Sequence, residues 1–142
     1  MTFRNFMNIA ISEAKKQDNE IPIGCVIIYK NDILFKSSNQ SKENPLAHAE
    51  IIAINQALNI LGGKFLQLCD MYVTLEPCPM CAFAISLARI KNLYIGTQNQ
   101  QYGAITKLNM YHNVCNHKPN IYFGIAEQEC KNLLKDFFEK RR

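Results

Sequence analysis

No run in this chain approaches the ~18 apolar residues that a membrane-spanning helix needs, so no bilayer span and no membrane partner is predicted. The start is equally unlike an export signal. Arg4 is followed by an amphipathic pattern broken by Ser12 and Glu13, which predicts a surface helix. No internal repeat, low-complexity tract or linker-like stretch divides the 142 residues. One domain over 1–142 is therefore expected, long enough to bury a core without covalent staples. Charge of neither sign dominates. The formal net charge of +4 is compatible with a nucleic-acid partner without identifying one. Lys131, Lys135, Lys140, Arg141 and Arg142 gather at the end and read most simply as a solvated helix with cations at its C-terminus, where the dipole favours them. These absences predict a cytoplasmic protein.

Six cysteines are present, an even number that in a secreted chain could form a disulfide framework. A chain of this size without an export signal needs none. Cys25, Cys69, Cys115 and Cys130 sit among apolar neighbours or at element ends and read as small buried hydrophobes. Only Cys78 and Cys81 have the spacing of metal ligands.

Hydrophobic periodicity orders the rest. Phe3, Phe6, Met7, Ala10, Ile11 and Ala14 predict an amphipathic helix over residues 3–17. Ile23 to Tyr29 and Ile33 to Lys36, joined by Lys30-Asn31-Asp32, predict a hairpin. Ser37 to Pro45 reads as a loop, and a helix is expected from Ala47 to Leu61. Its apolar face would comprise Ile51, Ile52, Ile54, Ala57, Leu58 and Leu61, and Gly62-Gly63 would stop it. Met71 to Leu75 reads as a strand, and Pro79 suits the first turn of a helix to about Arg89. Leu93 to Gly96 is a further strand, followed by a polar stretch with one short helix near Thr106–Tyr111. Ile121 to Ile125 is the last strand. Glu127 to Lys140 is the last helix, with Cys130, Leu133, Leu134, Phe137 and Phe138 inward. A hairpin followed by alternating helices and strands predicts an α/β protein with a mixed five-stranded sheet and helices on both faces.

Two stretches carry the chemistry: Pro45-Leu46-Ala47-His48-Ala49-Glu50 and Glu76-Pro77-Cys78-Pro79-Met80-Cys81. A histidine and two thiolates are three good zinc ligands, leaving a tetrahedral ion one open position for water. Glu50, two residues after His48, would be the acid–base group beside that water. Both stretches fall where a strand or loop passes into a helix N-terminus, which lowers thiol pKa and favours the thiolate. A lone C-x-x-C can also be a redox pair, half of a structural zinc site or two buried cysteines. A structural site would need a fourth ligand, for which His112, His117 or one of the other cysteines are the spare candidates. Glu50 favours the open catalytic site. With zinc lowering the pKa of its water toward ~7, Glu50 would carry protons from that water to a ring nitrogen and then to a departing amine. No organic cofactor is expected beside the one zinc ion.

The arrangement H-x-E…P-C-x-x-C is the recognised signature of the zinc deaminases. Across nearly its whole length the chain resembles one branch of them, the bacterial tRNA-specific adenosine deaminases. Glu20 to Val26, Ser38-Asn39, Ala47 to Ile51, Thr74 to Ala82, Ser86 to Ile90, Tyr102-Gly103-Ala104, Gly124-Ile125 and the Cys130…Phe137-Phe138 helix carry the resemblance. It implies a three-layer α/β/α cytidine-deaminase-like fold, a homodimer, and an extruded tRNA anticodon stem-loop deaminated from adenosine to inosine at the wobble position. It also implies that Asn39 contacts the target nucleoside and that Ile23 and Leu75 line its pocket. From the residues alone, Asn39 could equally be a turn residue at the hairpin end, and Ile23 and Leu75 core. The family commonly carries an Arg-Asp-like pair where this chain has Gln98-Asn99. Asn99 can accept a hydrogen bond from a ribose 2′-hydroxyl, but without charge. The loop from Gln40 to Asn44 is also shorter than the family's usual one. The alternative function is deamination of a free base or nucleoside such as guanine or cytosine, since Glu-Pro-Cys-Pro-Met-Cys occurs in that branch too. A rival of another class is a non-catalytic RNA-binding module that keeps the fold and a structural zinc, although retention of Glu50 argues against it.

Overall fold

The computed structural model describes residues 2–141. Its elements are α1 (Phe3–Ala14), β1 (Gly24–Tyr29), β2 (Asp32–Ser38), α2 (Ala49–Leu61), β3 (Cys69–Leu75), α3 (Pro79–Ala88), β4 (Asn92–Thr97), α4 (Met110–Asn113), β5 (Asn120–Phe123) and α5 (Glu127–Glu139). The strands form one mixed sheet in the order β2-β1-β3-β4-β5. β1 runs antiparallel to β2 and β3, whereas β3, β4 and β5 are parallel.

Helices cover both faces, and side-chain alternation along the strands divides two cores. Cys25, Ile27, Met71, Val73, Leu93 and Ile95 point into the core shared with α2, α3 and α4. Val26, Ile28, Tyr72 and Tyr94 point the other way, toward α1 and α5. On that side Tyr72 and Tyr94 stack with ring centroids 4.4 Å apart, and Tyr122 continues the row at 4.9 Å. α1 lies directly on β1. A Cβ at Gly24 would meet the Ala10 carbonyl oxygen at 1.8 Å, so only glycine lets the two backbones approach this closely.

Several boundaries differ from the sequence expectation for local reasons. α1 ends at Ala14 and not at 17, because Lys15, Lys16 and Gln17 have no core to face and are exposed. The hairpin turn is Lys30-Asn31, both with positive φ (49° and 65°), as a type I′ turn requires. α2 starts at Ala49, with His48 as its N-cap. Its apolar face is narrower than expected: Ala53, Ile54 and Ala57 are buried, Ile51, Ile52 and Leu58 half-buried, and Leu61 exposed. The short helix lies at Met110–Asn113 and not at 106–111, because residues 104–106 are drawn into a turn around Glu76. β5 ends at Phe123 and not at Ile125, since the Gly124 and Ile125 amides both turn back to the Ile95 carbonyl. Phe138 was expected inward but is 52% exposed, and Cys115 is only half-buried. All six cysteines are free thiols. Arg142 lies outside the described residues. Arg141 caps the basic end by stacking on Phe137, 3.6 Å above the ring, and donating to the Asp18 carbonyl. Among the described residues no helix is long and apolar enough to cross a membrane.

Candidate active site

The strand directions bring one edge of the sheet into use. β1 begins, and β2, β3 and β4 end, at the same edge, so Ile23, Asn39, Leu75 and Asn99 emerge together although spread through the chain. The N-termini of α2 and α3 meet there too. His48 caps the first helix and Cys78 the second, neither with a side-chain capping hydrogen bond, which leaves both side chains free for other duty. Pro79 occupies the first turn of α3, where its missing N–H costs nothing.

The cap that His48 does not supply comes from Asn39. Its Oδ1 accepts from the Ala49 N–H at 3.2 Å, and its backbone N–H donates to Ile23 O at 3.1 Å. Ser37 Oγ donates to Ala49 O at 2.6 Å. The end of β2 is thereby tied twice to the first residue of α2, between His48 and Glu50. The Asn39 amide also donates to Ser41 Oγ at 3.5 Å.

His48 Nδ1 lies 3.6 Å from each of the Cys78 and Cys81 sulfurs. All three donor atoms fall within 4.8 Å of one another, the geometry of a shared metal ion. His112 and His117 stand apart from this group. His112 is exposed on α4, and His117 Nε2 pairs with the Ile90 carbonyl at 2.8 Å. A fourth protein ligand is absent among the described residues. The hydrogen bond from the Cys81 side chain holds the Cys78 thiol down at about 5, helped by the Cys81 and Met80 N–H groups and by His48, against the cost of burial. The same contact and burial push Cys81 upward, so the two thiols hold one proton between them.

Glu50 is 4% exposed. Burial pushes its carboxyl up to about 7; the negative Cys78 adds to the rise, while its own backbone N–H, His48 and Cys81 oppose it. A carboxyl poised near neutrality both accepts and returns a proton readily.

These groups open into a cavity of about 460 Å³, within the ~300–1,000 Å³ typical of small-ligand sites. Asn39, Ile23, Leu75 and Asn99 all line it, alongside His48, Glu50 and Cys78. Cys81 lies beneath, fully buried. Asn99 Oδ1 already accepts from the Gln101 and Tyr102 N–H groups at 3.1 and 3.0 Å, which leaves its amide nitrogen, a donor, for the cavity. The sequence reading missed Ser41, Glu76, Tyr102, Leu134 and Phe138 in the wall. It also missed the buried Glu20, which accepts from the Ser41 and Lys42 N–H groups at 2.7 and 2.9 Å and fixes the loop after Asn39. Glu76 carried a signal of sorts, as a charged residue directly after the apolar run Met71–Leu75, whereas Glu20 closes a polar stretch and carried none.

Comparisons with known proteins find relatives among the deaminases. A family model described as MafB19-like deaminase matches residues 2–142. The chain is 46% identical over 130 residues to a tRNA-specific adenosine deaminase of Rickettsia typhi, covering 87% of this chain and 88% of that protein. A solved structure from studies of A-to-I editing by tRNA:A34 deaminases at the wobble position is similar with a TM-score of 0.88 at 40% identity, covering 92% of this chain and 99% of that one. A guanine deaminase of Bacillus subtilis is similar with a TM-score of 0.65 at 35% identity, over 69% of this chain and 66% of that one.

Proposed function

The chain belongs to the tRNA-specific adenosine deaminases, and from that membership we propose that it converts adenosine to inosine at the wobble position of a tRNA anticodon. It would do so as a single zinc-dependent deaminase domain acting on an extruded nucleoside. The observation that carries this is one constellation: a His48–Cys78–Cys81 cluster and a buried Glu50 opening into one cavity.

Zinc is the ion proposed. Bound tetrahedrally at ~2.3 Å to sulfur and ~2.0 Å to nitrogen, it would separate those donors by about 3.5 Å. The separation from His48 Nδ1 to each sulfur is 3.6 Å, so the histidine stands from both thiols at the spacing zinc would take. When bound, zinc supplies Lewis-acid activation of a water molecule at neutral pH.

The chain's own residues do the rest. Glu50 takes a proton from the attacking water and delivers it to N1 of the adenine ring, which makes C6 electrophilic. Oxygen adds at C6. Glu50 then passes the second proton of that water to the exocyclic amine, the C–N bond breaks, and ammonia leaves with inosine as product. Asn39 orients the nucleoside, Ile23 and Leu75 sandwich the base as apolar walls, and Asn99 offers its amide donor from the far loop. Burial keeps bulk water from competing for the Glu50 proton.

The cytoplasm is the compartment this substrate implies. A homodimer is also proposed. Phe65, Phe83, Leu87 and Val114 line one groove beside α3, each at least 41% exposed, and a second copy of the chain is its proposed occupant. The test of the function is inosine formation in an RNA anticodon stem-loop bearing adenosine at the wobble position. Chelation should abolish it and added zinc restore it. Failure with zinc-loaded protein would overturn the reading.

A further inference from the structure

Immediately before Pro77 and the proposed metal ligand Cys78 lies a carboxylate outside the His48–Cys78–Cys81 cluster and outside the proposed proton transfers. Glu76 is 1% exposed, and no cation pairs with it among the described residues. Its two oxygens are held instead by donors from one loop. Oε1 accepts from the Asn99 N–H at 3.1 Å, and Oε2 accepts from the Ile105 and Thr106 N–H groups at 2.9 and 2.8 Å. Thr106 Oγ1 donates to Oε1 at 2.9 Å. None of these bonds goes to Glu50, His48 or either thiol.

The loop is built around that carboxylate. A Cβ at Gly103 would meet Glu76 Oε1 and Asn99 O at 2.8 Å and Thr106 Oγ1 at 2.7 Å, so any other residue there would push the ring of donors open. Backbone bonds complete the seam: Glu76 N–H to Thr97 O at 2.8 Å, and Ala104 N–H to Pro77 O at 3.1 Å. Between the two anchor points the chain carries Asn99, Gln100, Gln101 and Tyr102, all of which line the cavity. The Asn99 side chain in turn receives the Gln101 and Tyr102 N–H groups, so its orientation depends on where Glu76 holds its backbone.

We propose that Glu76 is a positioning residue for this reaction. It links the metal-binding end of β3 to the substrate-facing loop Asn99–Tyr102 and sets how tightly the RNA is bound, while leaving the hydrolytic step to Glu50. The inference rests on the deaminase reading, and its prediction is a split between KM and kcat. A mere folding staple would not produce that split.

The experiment is steady-state kinetics of the zinc-loaded full chain on the RNA stem-loop, with zinc content and RNA affinity by fluorescence anisotropy measured in parallel. Glu76→Gln keeps the shape but turns an NH₂ toward at least one backbone N–H. The expected result is a KM and RNA Kd raised about 10-fold or more, with kcat within about 3-fold of the parent and zinc retained, since bonds to a charged acceptor are being lost. Thr106→Val removes one hydroxyl donor and should raise KM and Kd about 3-fold at unchanged kcat. It decides the matter if the Gln variant does not fold. A fall in kcat at unchanged KM, loss of zinc, or unchanged KM and Kd in the folded variants would overturn the assignment. If the parent binds the stem-loop without deaminating it, the deaminase reading fails, and the Kd values alone still judge the loop's role.

Discussion

At the scale of single residues, the site depends on keeping two kinds of carboxylate apart. Glu50 is buried beside thiols with few donors, so its proton is held loosely near neutrality. Glu76, equally buried, has both carboxyl oxygens occupied by N–H and O–H donors and is thereby fixed in place. Glu50→Ala is expected to retain one zinc per chain while losing turnover by roughly 10²–10⁴-fold, the usual worth of a positioned acid–base group. Metal analysis and product assay of the same sample check both halves, and zinc loss would mean that Glu50 is a ligand instead. Asn39→Ala should act twice, because the side chain caps α2 and lines the cavity. Stability should drop by about 1 kcal/mol, as for loss of a helix cap, and kcat/KM should fall as well. A variant with unchanged kinetics would confine Asn39 to the cap.

At the scale of elements, α2 and α3 meet the sheet edge with their N-termini. Both junctions were legible in the sequence because each motif straddles a loop-to-helix boundary that Pro45, Pro79 and the apolar spacing mark out. The central strands were legible for another reason: runs such as Cys25–Ile28 and Met71–Val73 are apolar on both faces, as in a sheet covered twice. What could not be read was anything fixed by a distant partner. The turn at 104–106 exists because Glu76, some thirty positions earlier, gathers its amides. That is why the short helix was displaced toward Asn113. Phe138 follows helical spacing yet lines the cavity and stays half exposed. The α1–β1 contact offers a test at this scale. Gly24→Ala would place a methyl 1.8 Å from the Ala10 carbonyl, so α1 must shift. A loss of about 1–3 kcal/mol is expected for such overpacking, read from the urea midpoint. An unchanged midpoint would show that α1 is not seated there.

At the scale of the whole molecule, the thiols away from the metal set a limit on alkaline stability. Burial pushes Cys69 up to about 11 and Cys130 up to about 12, from an ordinary 9.0. The fold favours their neutral forms. Their contribution is therefore complete below pH 9 and is lost as pH rises toward 11 and 12, because the unfolded chain releases those protons first. Denaturation midpoints should hold steady to about pH 8.5 and then decline, and Cys130→Ala should flatten the decline. The apolar groove beside α3 makes a separate prediction. Leu87 is 65% exposed, and Leu87→Lys should convert a dimer to a monomer by light scattering if a second copy covers it. Burying a leucine side chain is worth roughly 1.5–3 kcal/mol, enough to move the equilibrium visibly. The most direct test of the central claim is a comparison of substrates. Zinc-loaded protein would be offered an RNA anticodon stem-loop with adenosine at the wobble position, and in separate reactions free guanine and free cytosine. Inosine in the stem-loop, with no ammonia released from either base, is the predicted result. Ammonia from a free base with an unedited stem-loop would contradict it and assign the same cavity to small-molecule deamination.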